Sequence, residues 1–197
     1  MPESIAVFLD FQNVHLIGHH LYGRGSELYQ RVPNPARLAD LIAERRRRPS
    51  TATKISVYRG RPDPERQPVP TGAKDAQAAH WTRDRRVQVV RRQLNYRGWP
   101  TVPPQEKGID VHLAVDLIRV AFTKNYDALV LFSSDTDLLP ALEAVEIDKL
   151  GHVEVACWKG SKALRFPGSN LPWCHYLNAD DWAETTEDWQ GRLCASA

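Results

Sequence analysis

The stretch Ser4-Ile5-Ala6-Val7-Phe8-Leu9-Asp10 decides the predicted fold of this chain. Its apolar residues form one short run, and an acid follows them directly. Such a run is typical of a strand that is buried on both faces of a parallel sheet and ends at the acid. Similar runs rich in β-branched residues lie at residues 54–59, 87–91, 128–133 and 153–158.

Segments of helix length separate these runs. We predict helices at residues 35–48, 74–86, 109–123 and 136–150. Strands that alternate with helices favour a parallel sheet, and right-handed crossovers place the helices on both of its faces. The expected fold class is therefore α/β, a three-layer α/β/α sandwich with a mainly parallel central sheet.

Two proline-rich stretches interrupt this alternation. Residues 60–72 contain four prolines, and residues 95–107 contain three. We predict an exposed loop for the first stretch and an irregular connection for the second. Each stretch either flanks a site or serves as a plain connection.

The charges are divided unevenly along the chain. Of the 197 residues, 26 are Lys or Arg and 24 are Asp or Glu, which gives a formal net charge of +2. Residues 1–107 carry 19 of the basic side chains and 10 of the acidic ones, whereas residues 108–197 carry 7 and 14. This asymmetry favours a polyanionic partner and a separate acidic cluster.

The cysteine content and the hydropathy pattern indicate a compartment. Three cysteines without a C-x-x-C spacing indicate neither a structural zinc site nor a disulfide framework. The sequence shows no signal peptide and no apolar segment of membrane-spanning length. We expect a cytoplasmic protein without a membrane partner.

Four acids fall where a parallel sheet binds its ligands. Asp10 ends the first predicted strand, Asp135 and Asp137 follow the fourth, and Asp110 opens a helix. The carboxyl ends of neighbouring parallel strands lie at one edge of the sheet, so we expect these acids to be close together. Singly, each acid is also typical of a helix cap or a turn. Together they predict a site for Mg²⁺ or Mn²⁺, because a cation offsets the repulsion among carboxylates.

Such a cation suits the hydrolysis of a phosphodiester. Bound by Asp10, Asp110 and Asp135, it would polarise the phosphate and lower the pKa of a bound water. A second cation near Asp137 would stabilise the leaving oxygen, and the number of ions, one or two, stays open.

Polar side chains next to these acids are candidates for supporting roles. Asn13 lies three residues after the first acid, close enough to direct its amide at the same site. Ser133, Ser134 and Thr136 offer hydroxyl groups, and the backbone N–H groups at the start of the following helix suit a phosphate. Asn13 and Ser134 are equally typical of helix caps.

Three blocks in this order resemble the signature blocks of a known family. They are Asp10-Phe11-Gln12-Asn13, then Lys107-Gly108-Ile109-Asp110-Val111, then the run from Leu131 to Pro140 that reads LFSSDTDLLP. On these residues the chain resembles the NYN domain, in the LabA-type branch of the PIN-like nuclease superfamily, over roughly residues 4–160.

The resemblance implies a PIN-like, Rossmannoid fold and a metal-dependent (endo)ribonuclease that hydrolyses RNA with Mg²⁺ or Mn²⁺. It implies a nuclease domain at residues 1–160, and we expect residues 161–197 to be a C-terminal extension packed on the same domain. The catalytic residues carried over by motif are Asp10, Asn13, Asp110, Asp135 and Asp137, of which the four aspartates are the metal ligands. The alternative is a catalytically weak regulatory module of the same fold that binds RNA or protein.

Asp116 also matches a recurrent position of the family. It lies six residues after Asp110, a rotation of about 240° on a helix, so we expect it to support the site or to pair with a basic neighbour rather than to share the ion. Gln12 and Ser134 depart from the residues usual in the family, and neither departure removes a ligand.

Arginine supplies 19 of the 26 basic residues, and its guanidinium binds phosphates and stacks on bases. We predict that the consecutive arginines at 45–48 form a solvated helix end. Interleaved arginines and aromatic rings suit RNA, so we expect a single-stranded or structured RNA as the partner, while a homodimer stays open. The predicted RNA-binding residues are Arg85, Arg86, Arg91, Arg92, Arg97, Trp99 and Lys107.

The motifs of several other enzyme classes are missing from this sequence. A phosphatase of the haloacid dehalogenase type needs a second Asp two residues after the first, where this chain has Gln12. The glycine-rich turns for dinucleotides or a P-loop and the Gly-x-Ser-x-Gly elbow of serine hydrolases do not occur. His15 and His19 have a zinc-binding spacing if they are helical, but the glutamate of zinc proteases is missing.

Overall fold

A computed structural model describes residues 1–166 and 172–189 of the chain. The strands in this part are β1 (Glu3–Asp10), β2 (Arg31–Pro33), β3 (Ser50–Arg61), β4 (Val87–Gln93), β5 (Ala128–Phe132), β6 (His152–Trp158), β7 (Trp173–Leu177) and β8 (Thr186–Asp188). The helices are α1 (Gly18–Tyr22), α2 (Pro35–Glu44), α3 (Pro68–Trp81), α4 (Ile109–Thr123), α5 (Leu139–Ile147) and α6 (Ala179–Thr185). None of these described helices combines the length and the apolar character needed to cross a bilayer.

Six strands form one sheet in the order β4-β3-β1-β5-β6-β7, and every neighbouring pair in it is parallel. The chain moves outward from β1 in one direction through β3 and β4 and in the other through β5, β6 and β7. The strand order therefore reverses beside β1, which is where open α/β sheets bind ligands at their carboxyl ends. The predicted three-layer α/β/α sandwich with a mainly parallel sheet is confirmed.

The side chains of β1 alternate between the two cores of the sandwich. Ile5, Val7 and Leu9 belong to the core beneath α2 and α6, whereas Ala6 and Phe8 belong to the core beneath α4 and α5. All five side chains are fully buried. The apolar run before Asp10 is therefore explained by burial on both faces.

Several helix boundaries differ from the predicted ones. α3 begins at Pro68, inside the predicted loop 60–72, because proline suits the first turn of a helix, and it ends at Trp81 rather than near residue 86. The predicted helix 136–150 divides into a 3₁₀ turn and the shorter α5. The prediction for α4 matches the observed helix.

The arginines at 45–48 follow the end of α2. Arg45, Arg47 and Arg48 are exposed, as predicted for a solvated helix end, whereas Arg46 departs from that prediction. Arg46 is bound by Glu154 at 2.8 Å and by Glu3 at 2.7 Å, with only 6% of its side chain exposed. His175 places Nε2 at 2.7 Å from the same Glu154 carboxylate. Glu3 and Glu154 lie near the amino-terminal ends of β1 and β6, away from Asp10 at the carboxyl end of β1.

The residues after β6 complete the sheet. β7 has no counterpart among the predicted strands, and it adds the last parallel strand through pairing with β6. β8 pairs antiparallel with β2. Trp182 on α6 packs edge-on against Trp158, with 5.5 Å between the ring centroids. Residues 167–171 and 190–197, with Cys194 among them, lie outside the described residues.

Candidate metal centre

Three acids converge at the carboxyl edge of the sheet. Asp10 is the last residue of β1, Asp135 follows β5, and Asp110 lies in the first turn of α4. One carboxylate oxygen from each lies within 4.8 Å of the other two. The structure thus brings together three of the four acids that were predicted as metal ligands. Asp10 is buried, and the other two are partly exposed.

A buried serine joins two of these acids. The Ser133 hydroxyl donates to Oδ2 of Asp10 at 2.7 Å and accepts from the backbone N–H of Asp135 at 3.0 Å. Asn13, at the start of a π-helical turn after β1, donates from Nδ2 to the same oxygen of Asp10 at 2.6 Å. These bonds orient the Asp10 carboxylate and leave part of its acceptor capacity for a cation.

The three carboxylates repel one another and are partly desolvated. Burial, and then the charges of Asp135 and Asp137, raise the pKa of Asp110. Burial also raises the pKa of Asp10, an effect that its hydrogen bonds oppose and the charge of Asp110 reinforces. The raised pKa values express first the cost of burying these carboxylates and then their mutual repulsion. A bound cation would offset that cost.

The donor set of this cluster fits a hard divalent cation. Mg²⁺ and Mn²⁺ prefer carboxylate oxygens and complete their coordination with water and phosphate. Among the described residues, the cluster contains three carboxylates and no thiolate or imidazole. This composition matches magnesium or manganese better than structural zinc.

The other two predicted acids lie outside the cluster that the described residues form. Asp137 is exposed, and its backbone N–H donates to Oδ1 of Asp135 at 3.0 Å. Asp116 accepts a 3.1 Å hydrogen bond from the Tyr58 hydroxyl and lies 3.4 Å from the ring of His112. Asp137 therefore acts on the cluster through its charge, whereas Asp116 links α4 to β3.

The two remaining hydroxyl residues have other neighbours. The Ser134 hydroxyl lies 3.3 Å from the hydroxyl of Ser161. Thr136 begins the 3₁₀ turn and has an exposed side chain. Of the predicted hydroxyl groups, Ser133 is the one that the structure joins to the acids.

Part of the predicted RNA surface lies beside the acids. Arg91, Arg92 and Lys107 line a cavity of about 700 Å³. Lys107 and Gly108 directly precede the helix that carries Asp110. This cavity therefore places positive charge next to the carboxylates, although Arg91 also pairs with an aspartate of α3.

The irregular connection 95–107 carries two more of the predicted residues. Arg97 is exposed. Trp99 packs edge-on against Tyr96, with 5.6 Å between the ring centroids. This pair presents aromatic surface on the loop that leads to Lys107.

Two predicted RNA-binding arginines lie at the other end of β4. The sheet register places Val90 level with Asp10. Arg86 is four residues earlier, roughly 13 Å along an extended strand. Its guanidinium binds two aspartates at 2.6 and 2.8 Å. The structure therefore separates Arg85 and Arg86 from the acidic cluster.

Two charged residues near the acids were not among the predicted ones. The carboxylate of Glu106 accepts from the N–H of Gly60 at 2.6 Å. Burial, reinforced by the charges of Asp10 and Asp110, raises the pKa of Glu106. Lys74 donates from Nζ to the carbonyl oxygen of Gly60 at 3.2 Å, and burial lowers the pKa of this ammonium group to about 8. No local motif marks either residue, because a glycine distant in sequence brings them together.

His15 and His19 use ring nitrogens to support the fold. Nε2 of His15 is bonded to two carbonyl oxygens at 2.9 and 3.0 Å, and Nε2 of His19 is bonded to the carbonyl oxygen of Ser26 at 2.9 Å. Burial lowers the pKa of His15 to about 4. These contacts hold the segment between α1 and β2.

Comparisons with known proteins identify the family. The family model of the NYN domain matches residues 4–165. The crystal structure of a protein of unknown function from Vibrio parahaemolyticus is similar with a TM-score of 0.57 and 16% sequence identity, over 92% of this chain and 95% of that chain. This structural likeness shows the fold alone. A search of curated proteins gives no match. Because the family model spans most of the chain, the chain belongs to the NYN domain family, within the PIN-like nuclease superfamily.

Proposed function

We propose that this chain is a metal-dependent endoribonuclease that hydrolyses RNA phosphodiester bonds. Its active site would be formed by Asp10, Asp110 and Asp135. One observation carries the proposal: oxygens of these three carboxylates lie within 4.8 Å of one another. They do so at the carboxyl edge beside β1, where the strand order reverses. Membership of the NYN family supports the proposal, since the family belongs to the PIN-like nucleases.

The residues of the cluster would hold and orient a cation. Asp10, Asp110 and Asp135 provide the oxygen ligands, and Ser133 and Asn13 act as positioning residues for Asp10. Bound Mg²⁺ or Mn²⁺ supplies a Lewis acid that polarises the scissile phosphate and lowers the pKa of a water molecule.

The RNA backbone would approach over the basic residues of the same edge. Arg92 and Lys107 line the cavity beside Asp110, and such side chains bind phosphates. Trp99 offers a ring on which a base can stack. Arg85 and Arg86 are left out of this surface because they lie at the opposite end of β4.

The proposal is tested with a 5′-labelled single-stranded RNA. We expect the wild type to cleave it with Mg²⁺ or Mn²⁺ and not with a chelator. Asp135→Asn should be slower by about 100-fold or more, as for the loss of a well-placed electrostatic group in other enzymes. Asp148→Asn is the matched control, because Asp148 is exposed at the far end of α5 and should leave the rate unchanged.

Two outcomes would contradict the proposal. One is equal cleavage by the wild type and Asp135→Asn, and the other is cleavage that survives the chelator. If both proteins bind the RNA and neither cleaves it, the regulatory-module alternative replaces the ribonuclease.

The finer parts of this proposal rest on the sequence alone. They are the LabA-type branch, Mg²⁺ or Mn²⁺ as the cofactor, a single-stranded or structured RNA as the partner, and a cytoplasmic location. The homodimer, and the assignment of residues 161–197 to an extension packed on the nuclease domain, stay predictions.

A further inference from the structure

A second cavity lies next to the acidic cluster. Its volume is about 520 Å³, which is within the range of about 300–1,000 Å³ that is typical of ligand pockets. Phe11 and Gln12, which directly follow Asp10, form one side of it, and Glu106 contributes to another. α3 provides the facing wall through residues that include Ala73.

Much of the wall of this cavity is apolar and open to solvent. Leu16, Leu28, Tyr29 and Val69 all line it. Each is well exposed for a large apolar side chain, and Val69 reaches 79%. A flat aromatic ligand would cover this surface and gain free energy from its burial.

Gly60 holds two opposite charges side by side in the same wall. Its N–H donates to Oε1 of Glu106 at 2.6 Å, and its carbonyl oxygen accepts from Nζ of Lys74 at 3.2 Å. A Cβ atom at this position would collide with the side chains of Glu106 and Leu94. The close approach of Glu106 to the backbone therefore requires glycine.

A buried arginine adds a second cation to the cavity wall. The guanidinium of Arg59 lies 4.9 Å from the ring centroid of Phe11 and 5.3 Å from that of Trp81. Nη1 donates to Oε1 of Gln77 at 2.8 Å, while Nε has no hydrogen-bond partner among the described residues. Only 5% of Arg59 is exposed. A buried guanidinium with an unpaired N–H group favours a ligand that carries hydrogen-bond acceptors.

We propose that this cavity binds one unstacked guanine base of the RNA, next to the scissile phosphate. The inference rests on the proposed ribonuclease function for the source of the base. Lys74 and Arg59 donate and do not accept, and the adjacent O6 and N7 acceptors of guanine are the base atoms that such side chains most often bind.

The carboxylate selects guanine among the four bases. Ionised Glu106 accepts hydrogen bonds through both of its oxygens. Guanine presents two adjacent donors, N1–H and the 2-amino group, which a carboxylate binds as a pair. Uracil offers a single ring N–H, and adenine and cytosine have an amino group beside an unprotonated ring nitrogen. Lys107 follows Glu106 directly and lines the neighbouring cavity, so its ammonium group is the basic group in this segment that would bind the phosphate of the nucleotide.

Free nucleotides test this site without any cleavage. The wild-type protein, in a buffer that contains a chelator, is titrated separately with GMP, AMP, CMP, UMP and IMP. NMR monitors the binding. We expect GMP to bind at least ten-fold more tightly than AMP, CMP or UMP. IMP, which lacks the 2-amino group, should bind several-fold more weakly than GMP. An oligoribonucleotide with one guanosine, compared with its adenosine counterpart, shows whether a base within RNA is bound in the same way.

Substitutions on α3 locate the binding site. Ala73→Phe fills the cavity and should abolish the preference for GMP, whereas Ala79→Phe places the same ring at an exposed position of this helix and should not. Lys74→Met and Glu106→Gln remove charge without filling the cavity. They should each lower the affinity for GMP by about ten-fold, and they keep the test valid if Ala73→Phe fails to fold.

The two proposals fail in distinguishable ways. Equal binding of the four nucleotides, preference for another base, or an affinity for GMP that Lys74→Met and Glu106→Gln leave unchanged would overturn the guanine site. Preference for GMP together with no metal-dependent cleavage of RNA would overturn the ribonuclease proposal and leave the guanine site in place.

Discussion

Ser133 donates a 2.7 Å hydrogen bond to Asp10 and so connects the end of β5 to the end of β1. The same hydroxyl accepts from the N–H of Asp135 at 3.0 Å. One buried side chain therefore sets the relative position of two of the three clustered acids. The hydrogen bonds of this side chain thus fix part of the geometry of the cluster.

Removal of this hydroxyl should weaken cation binding. We expect Ser133→Ala to lower the affinity for Mn²⁺ by about 10- to 100-fold, as is usual when a group that orients a metal ligand is lost. Ser134→Ala is the comparison, because its hydroxyl lies near Ser161, and its affinity should equal that of the wild type. Titration with Mn²⁺, monitored by electron paramagnetic resonance, measures the affinity of each variant. Equal affinities in the two variants would contradict this role of Ser133.

Cation binding should depend on pH. The folded protein raises the pKa of Asp10 and of Asp110 above the ordinary aspartate value of 3.8, so protons compete with the cation to a higher pH than at ordinary aspartates. Without a cation, the stability contributed by these raised values is present below pH 3.8 and is lost as the pH rises through the folded pKa values.

The pH effect is measured as the difference in melting temperature between Mn²⁺ and chelator. We expect this difference to grow as the pH rises from about 4 to 7, because the carboxylates ionise and bind the cation. In Asp110→Asn the difference should be much smaller at every pH. A difference that is constant across this range in the wild type would refute the competition.

The ionic network at the amino-terminal edge should dominate stability at that end of the sheet. Arg46 and Glu154 expose only 6% and 5% of their side chains. Glu154→Gln leaves the buried guanidinium without its main anion, which costs about 3–5 kcal/mol in free energy of unfolding. The side chain of Arg48 is 79% exposed. Arg48→Ala should therefore lower the free energy of unfolding by at most about 1 kcal/mol. Urea unfolding that gave similar losses for the two variants would argue against the network.

The two ends of β4 should differ in RNA binding. Arg92→Ala and Lys107→Ala should each weaken binding and reduce the slope of log affinity against log salt by about 0.7, the value for one phosphate contact on a single strand. Arg86→Ala should leave the slope unchanged and lower stability, because this guanidinium binds two aspartates. Filter binding at several salt concentrations measures these slopes. An Arg86 variant that lost RNA affinity to the same extent would refute the division.

The central strands and the acidic cluster could be predicted because local sequence determines them. The apolar run of β1 must be buried on both faces, and a parallel sheet brings Asp10 and Asp135 to one edge. β7 could not be predicted in this way, because its sequence WCHYL shows only a weak alternation of apolar and polar residues. It joins the sheet through pairing with β6.

The cavity beside the cluster depends on contacts between distant segments. Lys74 lies on a helix whose first turn, Pro68 to Pro70, reads as a loop, and Glu106 lies in an irregular connection. Gly60 binds both, 14 residues from one and 46 from the other. The burial of Arg46 could not be predicted for a similar reason, because its partner Glu154 comes 108 residues later in the sequence.

Anomalous diffraction from crystals soaked in Mn²⁺ decides whether the three acids hold a cation. We predict one manganese peak at about 2.1 Å from carboxylate oxygens of Asp10, Asp110 and Asp135, and its loss in crystals of Asp110→Asn. Manganese bound elsewhere while this position holds none, or a peak that persists unchanged in Asp110→Asn, would contradict the assignment of the cluster as the metal centre.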